Sequence, residues 1–305
     1  FRYTFLETGR FIDVRVSVVP TYHGENVVMR LLSDKSEDLD LIDLGFSKND
    51  EEKIINAIKK TNGMILSTGP TGSGKTTTLY TLIKKLKSEE ISIITIEDPI
   101  EYAISDIEQI QVNASSGLTF ANGLRSILRQ DPNIIMVGEI RDKETASIAV
   151  NTALTGHLLL STIHTNDAVT TIPRLLDMGI EEYLIAGTLS VAIGQRLVRK
   201  VCENCKIKIA INDEFKKYFN DETPTTYKGS GCKKCNQSGY LGRISINEVL
   251  VVDENIKNAI LRRAGSNEIK NLAIKQGMST LIEDGFNKVK FGQTTIEEVL
   301  RVIHE

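Results

Sequence analysis

The sequence predicts an α/β fold in which helices cover a mainly parallel sheet, and three observations lead to it. Residues 69–76 form a glycine-rich loop, with an apolar strand-like run before it and a helix-like run after it. Strand and helix patterns then alternate over residues 91–178, as parallel strands with crossover helices require. Two Cys-x-x-Cys pairs mark a separate, loop-like segment. Together they predict an α/β core and a cysteine-bearing segment of different character after it.

Composition narrows the class of protein. The chain has 305 residues, of which 41% are hydrophobic and 25% charged, with a net charge of -3. These values are typical of a globular protein of one large domain or two. They give no general footprint for nucleic acid and leave a local basic patch open. No apolar run reaches the roughly 18 residues that span a bilayer, and no secretory signal begins the chain. We therefore expect a cytoplasmic protein, and a start at Phe1 suggests that an upstream part is missing.

The first 33 residues predict two strands of a small β-containing domain. Apolar residues alternate with polar ones around Arg15, so the first strand is half-buried and Arg15 points away from its core. We expect Pro20 to end this strand and residues 22–25 to form a turn. Residues 26–32 then form a second strand, which carries Arg30.

A linker and a helix precede the glycine-rich loop. Residues 33–43 are acidic and polar with little periodicity, which predicts a linker. A helix begins at Ser47, where Ser-Lys-Asn-Asp fits a capping box, and its apolar stripe includes Ile54 and Ile58. Asn62 and Gly63 close this helix before the strand of residues 64–68.

Residues 69–76, Gly-Pro-Thr-Gly-Ser-Gly-Lys-Thr, fit the P-loop pattern. Glycines let backbone amides turn towards a phosphate chain, and the helix that follows adds the positive end of its dipole. Lys75 is expected to reach the β- and γ-phosphates, and the Thr76 hydroxyl to bind Mg²⁺. The alternative is a glycine-rich turn that fits by chance. The predicted nucleotide-binding residues are Gly69, Pro70, Thr71, Gly72, Ser73, Gly74, Lys75, Thr76 and Thr77.

The next elements follow from hydrophobic periodicity. Strands are predicted at residues 91–96, 134–137 and 158–163, and helices at residues 126–129, 143–154 and 167–178. Residues 184–198 are mostly apolar and are predicted to be helical, with Gly194 as a break. Residues 200–242 are lysine-rich and loop-like, and the chain from Asn255 to its end is predicted to be helical.

Carboxylates that follow two predicted strands are candidates for hydrolytic chemistry. Glu139 follows the apolar strand of residues 134–137 as in a Walker B element, although Gly138 intervenes where an Asp usually stands. We assign Glu139 to Mg²⁺-water coordination or to polarising a water, against the alternative of a solvated surface acid. Glu97, Asp98 and Glu101 come just past the strand of residues 91–96, and paired acids near Mg²⁺ suit general-base work. The alternative for any one of them is a surface charge. Spacing alone leaves open which carboxylate acts.

Two histidines bracket the strand of residues 158–163. Because seven positions separate His157 from His164, they lie at opposite ends of the strand and cannot share one site. His164 is at the carboxyl end, where α/β sheets bind ligands, and is the candidate for a γ-phosphate contact. A structural role is the alternative, above all for His157.

Four cysteines, Cys202, Cys205, Cys232 and Cys235, form two Cys-x-x-Cys pairs with 26 residues between them. Four thiolates suit tetrahedral Zn²⁺, and a site closed by four protein ligands is structural. The alternative is a redox role for either pair. The metal would hold together a segment that is poor in apolar residues.

Taken together, these motifs resemble the hexameric secretion ATPases that drive type II secretion and type IV pilus assembly. The resemblance rests on the P-loop, an Asp box at residues 95–102, a Walker B box at 131–142 and a His box at 155–166. It implies that residues 1–36 belong to a partial PAS-like second N-terminal domain. Residues 37–305 would be a RecA-like ATPase domain, with a zinc insert at 200–242 and a helical subdomain at 243–305. The cysteine quartet favours pilus or pseudopilus assembly over retraction.

The resemblance also implies site residues and partners. Arg15 and Arg30 match arginines of the N-terminal domain that approach the γ-phosphate, and Arg125 and Arg129 match arginines that serve the site or a subunit boundary. A hexamer of this chain would contact an inner-membrane platform protein and cytoplasmic secretion or pilus components, and so lie at the inner face of the membrane through its partners. Such a motor converts Mg-ATP hydrolysis into domain rotation.

Other functions stay open at this point. A RecA-like ATPase that moves DNA in conjugation or packaging would share the P-loop. A regulatory module of a secretion or signalling complex could bind ATP and rarely hydrolyse it. A zinc-ribbon binding protein with an incidental P-loop would leave the four boxes unexplained.

Overall fold

The computed structural model describes residues 2–4, 11–33, 39–211, 213–216, 219 and 225–304. Its strands are β1 (Arg2–Thr4), β2 (Phe11–Thr21), β3 (Gly24–Ser33), β4 (Gly63–Thr68), β5 (Ile93–Glu97), β6 (Glu108–Gln111), β7 (Ile134–Val137), β8 (Leu158–Ile163), β9 (Leu189–Val201), β10 (Lys206–Ile209), β11 (Thr226–Gly229) and β12 (Tyr240–Val251).

The helices divide into a group before the cysteine segment and a group after it. The first group is α1 (Leu41–Leu44), α2 (Lys48–Ile58), α3 (Lys75–Leu86), α4 (Phe120–Ile127), α5 (Lys143–Leu154), α6 (Thr171–Asp177) and α7 (Glu182–Thr188). After a short α8 (Asp213–Lys216), the chain ends in α9 (Glu254–Leu261), α10 (Ser266–Lys275), α11 (Leu281–Lys290) and α12 (Ile296–His304).

A mainly parallel sheet forms the centre of the molecule, which confirms the predicted α/β class. Among the described residues its strand order is β12-β9-β4-β8-β7-β5-β6, and β12 runs antiparallel to β9 at one edge. The P-loop strand β4 lies between β8 and β9 and is parallel to both. The strand ends that carry the P-loop, Glu97, Glu139 and His164 therefore lie along the same edge of the sheet.

Both faces of the sheet are covered by helices. Because successive residues of a strand point to opposite sides, each strand contributes side chains to both cores. On β4, Ile65 packs with α2 and α3 in one core cluster. Its neighbours Met64 and Leu66 pack with α4, α5 and α7 in the other. The P-loop helix α3 and the arginine-bearing helix α4 thus lie on opposite faces.

Several predicted helices and strands agree with the structure, but the longest predicted helix before the cysteines does not. Helix α5 and strands β7 and β8 have the predicted bounds. The predicted helix over residues 184–198 is wrong, because α7 ends at Thr188 and β9 begins at Leu189. The strand is buried on both faces in its first eight residues, so its apolar run has no period that separates strand from helix.

Gly194 does not break a helix, contrary to the prediction, and another feature explains why a glycine stands there. It lies within β9, and a Cβ on it would stand 3.0 Å from the backbone nitrogen of Ala168. Glycine here permits the close approach of the segment that follows β8.

Several other boundaries move. The helix predicted to include residues 126–129 and to stop before Asp131 is α4, which ends at Ile127, and β5 begins two residues after the predicted 91. Helix α6 begins at Thr171 instead of 167, because the Asp167 carboxylate accepts the Thr170 N–H in a turn. Helix α2 begins after Ser47 as predicted, and the Ser47 hydroxyl accepts a hydrogen bond from the Asp50 N–H. In a capping box the Asp50 carboxylate would accept from the Ser47 backbone N–H, but here it accepts from the Ser47 hydroxyl.

The predicted linker of residues 33–43 is only partly described. Residues 34–38 lie outside the described residues, and the linker prediction is wrong for its last part, where α1 begins at Leu41. Leu41 is fully buried, which explains why an otherwise polar stretch is helical there.

The N-terminal strands form a separate three-stranded sheet in the order β1-β2-β3. Strand β2 continues one residue beyond Pro20, and a two-residue turn at 22–23 joins it to β3. Arg15 and Arg30 stand opposite each other in the register, on the face away from buried Val14.

The cysteine segment folds as a ribbon of β10 and β11 beside a 3₁₀ turn at Lys233–Cys235. Strand β12 then returns to the main sheet before the C-terminal helices, so residues 243–251 are extended.

Among the described residues, no helix combines the length and apolarity that crossing a membrane requires.

Candidate phosphate-binding site and cysteine cluster

The P-loop has the backbone that its glycines predict. Gly69, Gly72 and Gly74 have φ values of 147°, 80° and 96°, in the region that favours glycine. A Cβ on Gly69 would stand 2.5 Å from the carbonyl oxygen of Gln195, so β9 leaves no room for a side chain there. Helix α3 starts directly after Gly74, which directs its free N–H groups into the loop.

Lys75 reaches back over the loop. Its Nζ donates to the carbonyl oxygens of Gly69 at 2.8 Å and Pro70 at 2.9 Å. Burial lowers the pKa of Lys75 to about 8, and the nearby Glu139 carboxylate opposes that shift. Burial disfavours the charged form of an amine, and an anionic ligand beside it favours that form again.

The residues present fit a polyphosphate with its metal. Ser73 Oγ is buried and has no hydrogen-bond partner among the described residues, which a phosphate oxygen would supply. The three glycines form the cradle, and Lys75 supplies the positive charge. Thr76 is half-buried in the first turn of α3, the position from which a P-loop threonine binds Mg²⁺.

Glu139 and His164 meet at the ends of neighbouring strands. Their side chains approach to 3.2 Å between Oε2 and Nε2. Two bonds hold the turn after β7 against β8: Ile140 N–H to Thr162 O, and Thr162 Oγ1 to Gly138 O. The pairing of two parallel strands therefore brings together residues 25 positions apart.

Arg141 contacts the same carboxylate, with Nε 2.5 Å from Glu139 Oε2. Glu139 is 8% exposed, and the cationic side chains near its carboxylate are Arg141 and Lys75. The prediction did not assign a role to Arg141, although its place two residues after Glu139 could have indicated this pairing.

Glu97 and Glu101 occupy different surroundings. Glu97 is 2% exposed and accepts hydrogen bonds from Thr95 Oγ1, Gln109 Nε2 and the Tyr80 hydroxyl. Glu101 is half-buried, and its Oε2 lies 3.9 Å from Arg15 Nη1. The structure thus gives Glu97 three internal donors, while Glu101 faces the N-terminal strands.

The four predicted arginines separate into two places. Arg15 donates to Ile100 O at 2.6 Å, and Arg30 is exposed beside it across the strand pair. Arg125 is exposed and pairs with Glu144 at 2.7 Å, and Arg129, exposed just after α4, donates to Arg125 O and Ser126 Oγ. The contacts of Arg125 and Arg129 are thus with α4 and α5, on the sheet face opposite α3.

His157 lies at the amino end of β8, as predicted, and its Nδ1 is 3.3 Å from Thr152 O. This contact to the end of α5 is a structural one.

Arg196 is a further residue that the sequence did not indicate. It is 9% exposed and donates to Asn166 O at 2.7 Å, and its charge contributes to the low pKa of Lys75. It lines a cavity of about 540 Å³ with Glu248 and Lys270, beside the C-terminal helices. Because residues 184–198 are predicted to be helical, the sequence does not indicate that Arg196 lies on a strand next to the P-loop strand.

The four cysteines converge as predicted. Their Sγ atoms all lie within 4.8 Å of one another, with Cys202–Cys232 at 3.9 Å and Cys205–Cys235 at 3.8 Å. Zn–S bonds of about 2.3 Å place the corners of a tetrahedron about 3.8 Å apart, whereas a disulfide needs about 2.05 Å. The spacing therefore fits one tetrahedral Zn²⁺ and no disulfide.

Backbone N–H groups surround these sulfurs as they do in thiolate sites. The Cys232 and Gly239 amides donate to Cys235 Sγ at 3.2 and 3.3 Å. The Cys235 N–H and the Asn204 side chain lower the pKa of Cys232 to about 6. A thiolate that is already favoured at neutral pH is suited to binding a metal.

Comparison with known proteins gives one family. The sequence model of the family described as "Type II/IV secretion system protein" matches residues 2–301. The chain is 48% identical over 300 residues to the type II secretion system ATPase E of Vibrio cholerae, covering 97% of this chain and 59% of that protein. It is 47% identical over 304 residues to the type IV pilus assembly ATPase PilB of Thermus thermophilus, covering 98% of this chain and 34% of that protein.

A solved structure supports the fold independently. The pilus retraction motor PilT with bound ADP has a TM-score of 0.71 and 28% identity, over 99% of this chain and 76% of that one. The chain spans roughly a third to three fifths of the length of the curated relatives above.

Proposed function

Because the chain belongs to the type II/IV secretion system protein family, we propose that it hydrolyses Mg-ATP to drive type II secretion or type IV pilus assembly. The observation that carries this proposal is the meeting of Lys75, Glu139 and His164 at one edge of the sheet. A cation for the phosphates and an acid at the neighbouring strand ends are what phosphoryl transfer to water requires.

Each residue has a role that its position supports. The loop amides and Lys75 bind the phosphates, while His164 contacts the γ-phosphate. Glu139 orients the attacking water, and Glu101 is the second acid available for proton transfer. Mg²⁺ held through Thr76 would neutralise charge that develops on the phosphates. Glu97 is buried and holds neighbouring side chains of the site in place through the hydrogen bonds that it accepts.

The arginines complete the site from other segments. Arg15 and Arg30 stand side by side on the N-terminal strands, and Arg15 already contacts the Glu101 loop. We assign them to charge stabilisation at the γ-phosphate. Arg125 on α4 and Arg129 just after it are exposed, a location that suits a boundary between subunits better than the same chain's phosphates.

The remaining proposals concern domains and assembly. Residues 1–36 belong to a partial PAS-like domain and residues 37–305 to a RecA-like ATPase domain, with a structural zinc site at 200–242 and a C-terminal subdomain from 243. The protein works as a homohexamer at the inner face of the cytoplasmic membrane, where it binds a platform protein and cytoplasmic secretion or pilus components. Movement of the N-terminal arginines against the P-loop couples hydrolysis to rotation.

The test is phosphate release by the full-length, ring-forming protein with Mg-ATP. We expect turnover that Lys75→Ala abolishes through lost nucleotide binding. DNA should not stimulate it. Turnover near zero in the assembled ring would support a regulatory ATP-binding module instead, and strong DNA stimulation that falls steeply with salt would support a DNA motor.

A further inference from the structure

Tyr80 joins the P-loop helix to the acidic loop after β5. It lies on α3, five residues after Lys75, and is fully buried. Its hydroxyl donates to the Glu97 carboxylate and accepts the Glu101 N–H at 3.4 Å. Its ring packs edge-on against Tyr102, with centroids 4.7 Å apart.

Glu97 acts as the fixed acceptor of this arrangement. Besides Tyr80, it accepts from Thr95 Oγ1 at 2.6 Å and from Gln109 Nε2 at 3.2 Å. Donors thus surround this buried carboxylate on three sides, and both of its oxygens are engaged. A carboxylate held in this way orients its donors.

Side chains, rather than regular secondary structure, hold the backbone of residues 98–104. Gln109 accepts the Ile104 N–H at 2.7 Å and donates to Tyr102 O at 3.2 Å. Arg15 donates to Ile100 O, and Tyr80 accepts from Glu101. The contact from Tyr80 comes from the P-loop helix α3.

We infer that Tyr80 is a positioning residue, whose hydroxyl sets the place of the Glu101 carboxylate relative to the phosphates and whose anchor is Glu97. This inference rests on the proposed hydrolysis of ATP. The physical reason is that α3 begins at the P-loop, so one rigid helix carries both the phosphate cradle and the hydroxyl that holds the acid's backbone. A displacement of about 1 Å in a reacting group can cost about 100-fold in rate.

The kinetic experiment uses Tyr80→Phe, which keeps the ring and removes the hydroxyl. We expect kcat to fall by roughly 10- to 100-fold while KM and the affinity for a non-hydrolysable ATP analogue stay within about twofold. Tyr240→Phe is the matched control, because its hydroxyl contacts Thr295 beside the cysteine segment, and it should keep kcat. An unchanged kcat in Tyr80→Phe would overturn the inference.

Hydrogen exchange gives a readout that does not need turnover. The amide of Glu101 should exchange faster in Tyr80→Phe than in the wild type, and that of Ile104, held by Gln109, should change less. Equal exchange at Glu101 in both proteins would overturn the inference. If the wild type lacks turnover, the proposed function fails while this measurement still decides the role of Tyr80.

Discussion

Arg15 donates a 2.6 Å hydrogen bond to the carbonyl oxygen of Ile100, 85 residues away in the sequence. Its second nitrogen lies 3.9 Å from Glu101. The N-terminal strand pair therefore contacts the acidic loop of the ATPase core directly. Through Tyr80, that loop is in turn bonded to the P-loop helix.

Replacing Arg15 tests whether this contact serves catalysis. Arg15→Ala should lower kcat by roughly 10³-fold, the lower end of the range for an arginine that stabilises phosphoryl transfer. Arg262→Ala is the control, since Arg262 is exposed and pairs with Glu268 of the C-terminal helix α10. Steady-state phosphate release measures both. Wild-type turnover in Arg15→Ala would exclude the proposed role.

Replacing Glu139 separates binding from hydrolysis. Glu139→Gln keeps the side chain's size and removes its charge, so ATP binding should persist while kcat falls by about 10²- to 10⁴-fold. Analogue binding and phosphate release in the same preparation distinguish the two. Glu268→Gln, at an exposed ion pair, should behave as the wild type. Normal turnover in Glu139→Gln would contradict the assignment.

The pKa of Lys75 predicts a pH dependence of nucleotide binding. Burial lowers this pKa to about 8, and bound phosphate favours the protonated amine and raises it again. Below pH 8 the amine is already charged, so affinity should be nearly constant. Above pH 8 binding must take up a proton, so affinity should fall by up to about tenfold per pH unit.

Calorimetry with a non-hydrolysable analogue measures this effect between pH 7 and 9.5. Two buffers of different ionisation enthalpy should report proton uptake that grows above pH 8. Lys75→Arg, which stays charged over this range, should lose that proton uptake. A flat affinity profile for the wild type would show that Lys75 is charged throughout.

The cysteine cluster should hold about one Zn²⁺ per chain in freshly purified protein. Cys232→Ser removes one ligand and should reduce the zinc content and lower the melting temperature. Ser230→Ala is a nearby control, because the Ser230 hydroxyl donates to the Cys205 carbonyl oxygen. Elemental analysis and thermal unfolding measure these outcomes. Protein free of metal would refute the site.

Local features could be predicted because local physics requires them. The P-loop needs glycines at positive φ and a helix start, and its sequence encodes both. Helix α5 and strand β8 show their own periodicity, and Cys-x-x-Cys spacing suffices to bring two sulfurs to one metal. For these features, neighbours in sequence are also neighbours in space.

What the sequence determined by itself is therefore the α/β class, the phosphate loop, the acids at strand ends and the four thiols. Only the tertiary structure decided that residues 189–201 form a strand, since an apolar run buried on both faces has no distinguishing period. It alone paired Glu139 with Arg141 and His164, and engaged Glu97 with Tyr80. The contacts of Glu139 with His164 and of Glu97 with Tyr80 depend on which strands and helices lie side by side, and strand order arises from packing of the whole chain.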